Sequence, residues 1–475
     1  MAAEPALHQL APGDAVFLST ETANAWGHIG GLTLLDPSTT EGFGFEKVVR
    51  AVGERIRLVP RFTWKLAEVP FGLDEPYWVP CDDFDVRRHV RRAAVPSPGG
   101  MKELGELVGH LFARPMDRSR SLWDLWLIEG VRGGRFAMFM RTHHSLMDGQ
   151  AGVGLTEVLL DLAADATRPP LVPDAMNEAQ PKAPGALDVA WRAARNAATR
   201  PLKLARHVGA ALDEFVWKPR SRELDAPRMP SWSDVPKVSF NAAIGPRRHF
   251  ACAEIELQDL LAIKKHFDVT LNDVVLEVIG GALRRWLRAK GELPEKPLVA
   301  LCPVSLRDAE DRTLNNQVTH MAVSMATDLE DPASRLRAVA DASFLSKKAL
   351  RRGSFDVLAA LAESFAPAIV GAVTRGADLV VDAIPLPGNL CVSNVRGTPV
   401  PLYMAGARVD AMFPMSVLQP SQGLNVTVVS YMGKMDFGFT VDPDLVPDVH
   451  DLVECVHRAF EELSSAAEGV VHRAR

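Results

Sequence analysis

The chain has 475 residues, of which 47% are hydrophobic and 24% are charged, and its formal net charge is -6. This composition is ordinary for a globular protein with a sizeable core, and the length predicts two or three domains. A mildly acidic chain lacks the basic face that displaces counterions from phosphates, so its charge argues against a general nucleic-acid binder.

The cysteines and the apolar runs set the expected compartment. The five cysteines lie far apart and form no Cys-x-x-Cys pair, which is typical of free thiols in a reducing compartment. No apolar run reaches the roughly 20 residues of a membrane span, and the first residues lack the pattern of a signal peptide. We therefore expect a cytoplasmic protein that at most associates peripherally with the inner membrane or with lipid droplets.

Residues 1–167 are predicted to form a first domain of strands and helices. Residues 29–35 and 136–140 are short apolar runs typical of buried strands, and the apolar spacing over 153–162 predicts a helix. The motif His-His-Ser-Leu-Met-Asp-Gly at 143–149 lies between the second strand and this helix. We therefore expect it to form a loop.

Residues 168–238 are predicted to be a linker and crossover. Five prolines stand between 168 and 185, where they remove backbone donors and fix the dihedral angle φ. Residues 186–212 are predicted to be a helix with several basic side chains. Its charged face could be simply solvated or could lie on an anionic membrane. The apolar run at 365–373 leaves a similar choice between a core helix and a lipid contact.

Residues 239–475 are predicted to form a second domain. Apolar residues follow helical spacing over 274–287, and strands are predicted at 298–304, at 390–395 and within 423–439. Two halves of mixed character around a proline-rich crossover predict an α+β fold, with mixed α/β composition and two domains.

The paired histidines carry the chemical prediction. Histidine has an unperturbed pKa near neutrality, so it suits a base that removes a hydroxyl proton during acyl transfer. His144 stands four residues before Asp148, which we expect to hold the loop, and Gly149 permits close backbone approach. A purely structural role is the alternative. A shared metal is disfavoured because adjacent side chains of an extended segment point to opposite faces. We expect neither metal nor cofactor.

Several segments beyond the motif resemble the bacterial wax ester synthase/diacylglycerol acyltransferase family. This family belongs to the superfamily of chloramphenicol-acetyltransferase-like, CoA-dependent acyltransferases. The matching segments in the first half are residues 10–18, 28–32, 60–62, 78–79, 83–85, 89–90, 114–123 and 126–130. Those in the second half are residues 271–274, 303–307, 393–395, 423–427 and 442–444. The resemblance therefore spans nearly the whole chain except the linker.

The resemblance implies two chloramphenicol-acetyltransferase-like domains, each a mixed sheet with flanking helices, with a tunnel between them. It implies transfer of a long-chain acyl group from acyl-CoA, a co-substrate, to diacylglycerol or to a long-chain fatty alcohol. His144 would be the general base and His143 its supporting neighbour. Asp148 would be structural, and our hypothesis is that Arg307 is its ion-pair partner.

Further site residues follow from the same resemblance. Asn272 and Asp273 match a second functional motif of the family, and Ser393 and Asn394 lie in another matching segment, where they would be supporting or structural residues. The spacing from Thr270 to Asp273 is also typical of a helix start, so Asp273 could serve as a cap. Asn272 could donate a hydrogen bond to the developing oxyanion or cap the backbone locally.

Two departures from the family pattern, and one serine, complete the predictions. Gly27 stands where relatives often carry methionine, and Arg396 where proline is common. We expect both to affect substrate choice more than activity, because neither is expected to touch the catalytic residues. Ser145 follows the base directly, but direct attack by the alcohol is simpler than a covalent serine intermediate.

Two other functions stay open at this stage. The chain could be a related acyltransferase that uses another acceptor or takes acyl groups from a carrier protein. It could also be a non-catalytic protein that binds acyl-CoA or coats lipid droplets.

Overall fold

The computed structural model describes residues 7–147, 149–166, 181–212, 235–305, 318–351, 364–378 and 387–473. Asp148 and Arg307 therefore lie outside the described residues, as does most of the proline-rich segment.

The helices and strands alternate along both halves of the chain. The helices are α1 (Pro12–Ser19), α2 (Phe45–Ile56), α3 (Met101–Phe112), α4 (Gly149–Leu159), α5 (Ala186–Leu212), α6 (Leu257–Phe267), α7 (Leu271–Ala289), α8 (Pro332–Arg351), α9 (Pro367–Asp378) and α10 (Val449–Arg473). The strands are β1 (His8–Gln9), β2 (His28–Asp36), β3 (Trp64–Ala67), β4 (Tyr77–Pro80), β5 (Val90–Ala94), β6 (Trp123–Val131), β7 (Arg135–His143), β8 (His249–Glu256), β9 (Val299–Ser305), β10 (Val318–Ser324), β11 (Leu390–Val395), β12 (Tyr403–Met404), β13 (Ala407–Met415), β14 (Leu424–Tyr431) and β15 (Lys434–Val441).

Two mixed six-stranded sheets dominate the described part of the chain. The N-terminal sheet has the order β12-β13-β2-β7-β6-β5, with β5 and β6 parallel and the other neighbours antiparallel. The C-terminal sheet has the order β10-β9-β11-β14-β15-β8, with β11 parallel to both of its neighbours. A small sheet of β1, β4 and β3 accompanies them. The predicted mixed α/β composition is thus confirmed.

The N-terminal sheet contains strands from both ends of the chain. β13 pairs antiparallel with β2, with Phe413 opposite Leu32, although β13 belongs to the predicted second domain, 239–475. Two strands of the range predicted as the second domain, β12 and β13, thus complete the N-terminal sheet. An alternating apolar pattern predicts a strand but not its partner, and this pairing covers the edge of β2.

Most predicted elements lie where the sequence placed them. The strands at 29–35 and 136–140 are β2 and β7, which are neighbours in the N-terminal sheet, and the helix after the histidine motif is α4. The predicted helix at 186–212 is α5, with the same bounds. Among the described residues, none of the helices combines the length and the low polarity that crossing a bilayer requires.

Candidate active site

The two histidines lie at the end of β7, beside the start of β2. His143 stands opposite His28 in the strand pairing, and its N–H donates to the carbonyl of Leu122 at 3.0 Å. The N–H of His144 donates to the carbonyl of Gly27 at 2.7 Å. The backbone of the motif is thus held from both sides before the chain turns into α4.

The His144 ring is held by stacking on a helix from the start of the chain. It lies on the ring of Phe17 in α1, with 4.2 Å between centroids and planes 5° apart. The side chain remains partly exposed, in contrast to the buried ring of His143. Phe17 therefore limits the rotation of an imidazole that solvent or substrate can still reach.

The His143 ring is enclosed by hydrogen bonds. Its Nδ1 lies 3.1 Å from the backbone nitrogen of Ser145, whose N–H can only donate, so Nδ1 accepts. Its Nε2 lies 3.2 Å from Oε1 of Glu21. The geometry therefore places the proton on Nε2, where it is donated to the Glu21 carboxylate. His143 is a positioning residue, since both of its ring nitrogens are occupied.

Glu21, in the connection between α1 and β2, is a site residue that the sequence analysis missed. Its carboxylate accepts from the guanidinium of Arg118 at 2.7 Å and from the Gly27 N–H at 2.9 Å. Burial raises the pKa of Glu21, but the hydrogen bond and electrostatic interaction with His143, together with the hydrogen bonds from Arg118 and Gly27, outweigh this effect and bring the pKa to about 2. Glu21 is thus ionised at neutral pH. A lone acid ahead of the first predicted strand gave no signal of this contact.

Ser145, His143 and Glu21 lie in the order of a catalytic triad, but the geometry does not support a serine nucleophile. The Ser145 hydroxyl lies 2.7 Å from Nδ1 of His143, yet its side chain is fully buried. The same Nδ1 also accepts the backbone N–H of Ser145, so its lone pair is shared. This hydrogen bond joins residues two positions apart within a turn, and it fixes the orientation of the His143 ring.

Arg248, in the second half of the chain, contacts the segment between α1 and β2 that carries Glu21. Its guanidinium donates to the carbonyl of Asn24, and it lies 4.9 Å from the ring centroid of Trp26. It also donates to the carbonyl of Gly245 at 2.7 Å. Burial lowers the pKa of Arg248 to about 10, so the group remains charged at neutral pH. The position of Gly27 therefore depends on both halves.

The second motif forms the start of α7. The Thr270 side chain accepts from the Asp273 N–H at 3.2 Å, and the Asp273 carboxylate accepts from the Thr270 N–H at 2.9 Å. This reciprocal pair is a capping box, so the predicted helix start is confirmed. Asp273 is buried, and its Oδ1 has no hydrogen-bond partner among the described residues. Asn272 is partly exposed beside it.

The remaining predicted site residues stand on other elements. Ser393 and Asn394 lie near the end of β11, paired with Thr427 and Val428 of β14, and Asn394 is exposed. Gly149 is the first residue of α4. The hypothesis that Arg307 pairs with Asp148 concerns two residues outside the described part of the chain.

Comparison with protein-family models identifies the chain. Residues 10–275 match the model of the wax ester synthase/diacylglycerol acyltransferase catalytic domain. The chain belongs to this family. Residues 314–464 match the model of the family's C-terminal domain. The chain is accordingly an acyltransferase with the two-domain, chloramphenicol-acetyltransferase-like fold, as the resemblance implied.

Relatives and solved structures agree with this assignment. Two proteins of Mycobacterium tuberculosis, both named as candidate diacylglycerol O-acyltransferases, are 34% and 33% identical over 465 and 475 residues. The matches cover 98% and 96% of this chain, and 91% and 98% of theirs. The wax ester synthase/diacylglycerol acyltransferase of Marinobacter aquaeolei is 25% identical, with a TM-score of 0.69, over 97% of this chain and 100% of its own. A condensation domain of the calcium-dependent antibiotic synthetase, 16% identical over 97% of this chain and 96% of its own with a TM-score of 0.56, shares the fold.

Gly27, a departure from the family pattern, lies against the histidines. A Cβ on Gly27 would come within 2.7 Å of the Phe17 carbonyl and 2.9 Å of Nε2 of His143. Its carbonyl also accepts the His144 N–H. The expectation that Gly27 stays clear of the catalytic residues is therefore wrong. Position in the chain gave no indication of this contact, because strand pairing creates it. Arg396, the other departure, is exposed just after β11.

Proposed function

We propose that this enzyme transfers a long-chain acyl group from acyl-CoA to the hydroxyl group of diacylglycerol or of a long-chain fatty alcohol. The products would be triacylglycerol or wax ester, with free CoA. Membership in the wax ester synthase/diacylglycerol acyltransferase family supports this reaction class. The observation that carries the assignment of the base is the contrast between the two histidines: the partly exposed His144 ring and the enclosed His143 ring.

The proposed reaction proceeds by direct attack. A ring nitrogen of His144 takes the proton of the acceptor hydroxyl as its oxygen bonds to the thioester carbonyl carbon. The tetrahedral intermediate then collapses, the bond from carbon to sulfur breaks, and the protonated imidazole returns its proton to the CoA thiolate. General-base catalysis of this kind supplies about 10²–10⁴-fold in rate. Neither a covalent acyl-enzyme nor a resident cofactor or metal takes part.

The supporting residues have separate proposed roles. Phe17 and the Gly27 carbonyl orient His144, and the pair of Glu21 and His143 fixes the loop that carries it. Asn272 is proposed to donate a hydrogen bond to the developing oxyanion. Both acceptors partition into lipid, so the enzyme would work at the surface of the inner membrane or of lipid droplets.

The test is an acceptor panel with radiolabelled palmitoyl-CoA and no carrier protein. We expect wild type to form labelled triacylglycerol or wax ester from diacylglycerol or hexadecanol, and His144→Ala to lose roughly 10²–10⁴-fold in CoA release. Equal, slow CoA release by both proteins would overturn the proposal and favour a non-catalytic lipid-binding role. Activity that requires an acyl-carrier protein would instead assign a condensation-like reaction.

A further inference from the structure

Helix α5 packs with its polar side inward. The Asn196 amide donates to the Asp74 carboxylate at 2.9 Å, and the buried Arg200 guanidinium donates to Asp74 at 2.9 Å and to the Leu73 carbonyl at 2.8 Å. Two turns beyond Arg200 on this side, Nδ1 of His207 lies 3.0 Å from the Ser364 hydroxyl. Amphipathic helices of globular proteins usually bury their apolar side, so this arrangement is reversed.

The apolar side chains of α5 face outward as a consequence. Leu187, Trp191 and Leu202 are 86%, 70% and 73% exposed. At 100° per residue these three positions fall within about 60° of one another, so they share one stripe. Exposed Arg195 and Arg206 follow along the edge of this stripe. A basic helix with an outward apolar stripe has the chemistry of a helix that lies on an anionic membrane.

A second group of exposed apolar side chains lies on α9 and on the turn that contacts the inward side of α5. The turn at Pro70–Gly72 presents Phe71, which is 89% exposed, and is followed by exposed Leu73. A Cβ on Gly72 would lie 3.2 Å from that of Ala368, so this turn abuts α9, whose Ile369 and Val373 are exposed. We call the outward stripe of α5 the apolar surface, and it consists of Leu187, Trp191 and Leu202.

The second group is linked to the site through α9 and α1. Val370 of α9 is buried against Val16 of α1, and Phe17, the next residue, stacks on His144. Side chains at the solvent face of α9 and the imidazole of His144 are therefore separated by the thickness of α9 and α1.

We infer that the apolar surface docks onto a phospholipid bilayer that carries anionic headgroups. The exposed apolar groups would enter the interface between headgroups and acyl chains, where tryptophan is favoured, and the basic edge of α5 would contact the headgroups. Scattered exposed apolar residues are normal, but a grouped set of large ones marks an interaction surface. This inference rests on the proposed function only in that docking would deliver the lipid acceptor.

The test is co-sedimentation of the full chain with vesicles, with no substrate present. We expect binding to vesicles of phosphatidylcholine with phosphatidylglycerol, and weaker binding to phosphatidylcholine alone. The double variant Trp191→Glu, Leu202→Glu should bind at least about 10-fold more weakly, since two large side chains leave the interface. Arg195→Gln with Arg206→Gln should lose about 10-fold or more, at roughly fivefold per basic residue. Leu261→Glu, on exposed α6, is the matched control and should bind as wild type does.

The outcomes separate this inference from the proposed function. Catalysis without a bilayer is measured as CoA release with a water-soluble medium-chain alcohol, after subtraction of the CoA released by hydrolysis alone. The surface variants should retain this activity. Unchanged vesicle binding by both double variants would overturn the inference, as would equal binding of wild type to neutral and anionic vesicles. Loss of a dimer in the apolar variants, without loss of vesicle binding, would assign the surface to a second copy of the chain. Failure of the alcohol assay with intact vesicle binding would count against the proposed function alone.

Discussion

Two regions of the molecule differ in how far apart in sequence their hydrogen-bond partners lie. These regions are the loop with the two histidines and the start of α7. His143 reaches Glu21, 122 residues away, whereas Asp273 bonds to Thr270, three residues away. Both regions carry residues that the family resemblance marks for function. The histidine loop depends on the packing of α1, β2 and β7, while the start of α7 is complete within one turn. The two regions should therefore respond differently to substitution.

The sharpest test of the long-range region is Gly27→Ala. The added methyl group would sit 2.7 Å from the Phe17 carbonyl and 2.9 Å from His143 Nε2, so the backbone under His144 must shift. We expect kcat/KM to fall by about 100-fold or more, because a displacement of 1 Å near a reacting group costs about this much. Gly31→Ala, four residues further along in β2, is the matched control, since its Cβ would meet nothing within 4 Å. Equal activity of the two variants would contradict the described packing.

Glu21→Gln tests the ion pair that supports His143. The substitution removes the charge that Arg118 and His143 contact, and we expect kcat/KM to fall about 10-fold, in line with the loss of a charge-assisted hydrogen bond. Glu68→Gln is the matched control, because Glu68 is more exposed and lies 3.4 Å from the same Arg118. If both variants lose activity equally, Glu21 has no special relation to the loop.

The pH dependence of stability gives a second measurement on Glu21. Its pKa is lowered from 4.5 to about 2 in the folded protein, so its ionised form stabilises the fold above pH 4.5. This contribution is lost as pH falls toward 2. In urea unfolding, the stability difference between wild type and Glu21→Gln should therefore be largest at pH 6 and smaller at pH 3. A difference that grows at low pH would contradict the ion pair.

Ser145→Ala should have a smaller effect on the same loop. His143 Nδ1 would keep the backbone N–H of Ser145 as its donor, so we expect kcat to change by no more than about 10-fold. Removing a true serine nucleophile costs about 10⁶-fold. Steady-state kinetics of the variant, with intact-mass detection of any acyl-enzyme in quenched wild type, separate the two cases.

Asp273→Ala should have the smallest effect on activity, because its hydrogen bonds are local. Loss of the capping box is expected to cost about 1 kcal/mol of stability, with kcat changed less than twofold at a temperature where the protein is folded. Asp259→Ala, an exposed acid in the first turn of α6, is the control for charge alone. A large drop in kcat with unchanged stability would show that Asp273 acts in the reaction.

The sequence by itself determined the local features of this protein. Short apolar runs predicted β2 and β7, apolar periodicity predicted α4 and α7, and the spacing of Thr270 and Asp273 predicted a helix start, because these patterns act within a few residues. The family resemblance further predicted the reaction class and the mixed two-domain fold.

Only the tertiary structure decided which distant residues meet. It brought Glu21 and Gly27 to the histidines, placed β13 beside β2, and turned the apolar stripe of α5 outward. The sequence pattern specifies which side chains require a polar partner or burial. Long-range packing then selects the partner from many that are chemically equivalent.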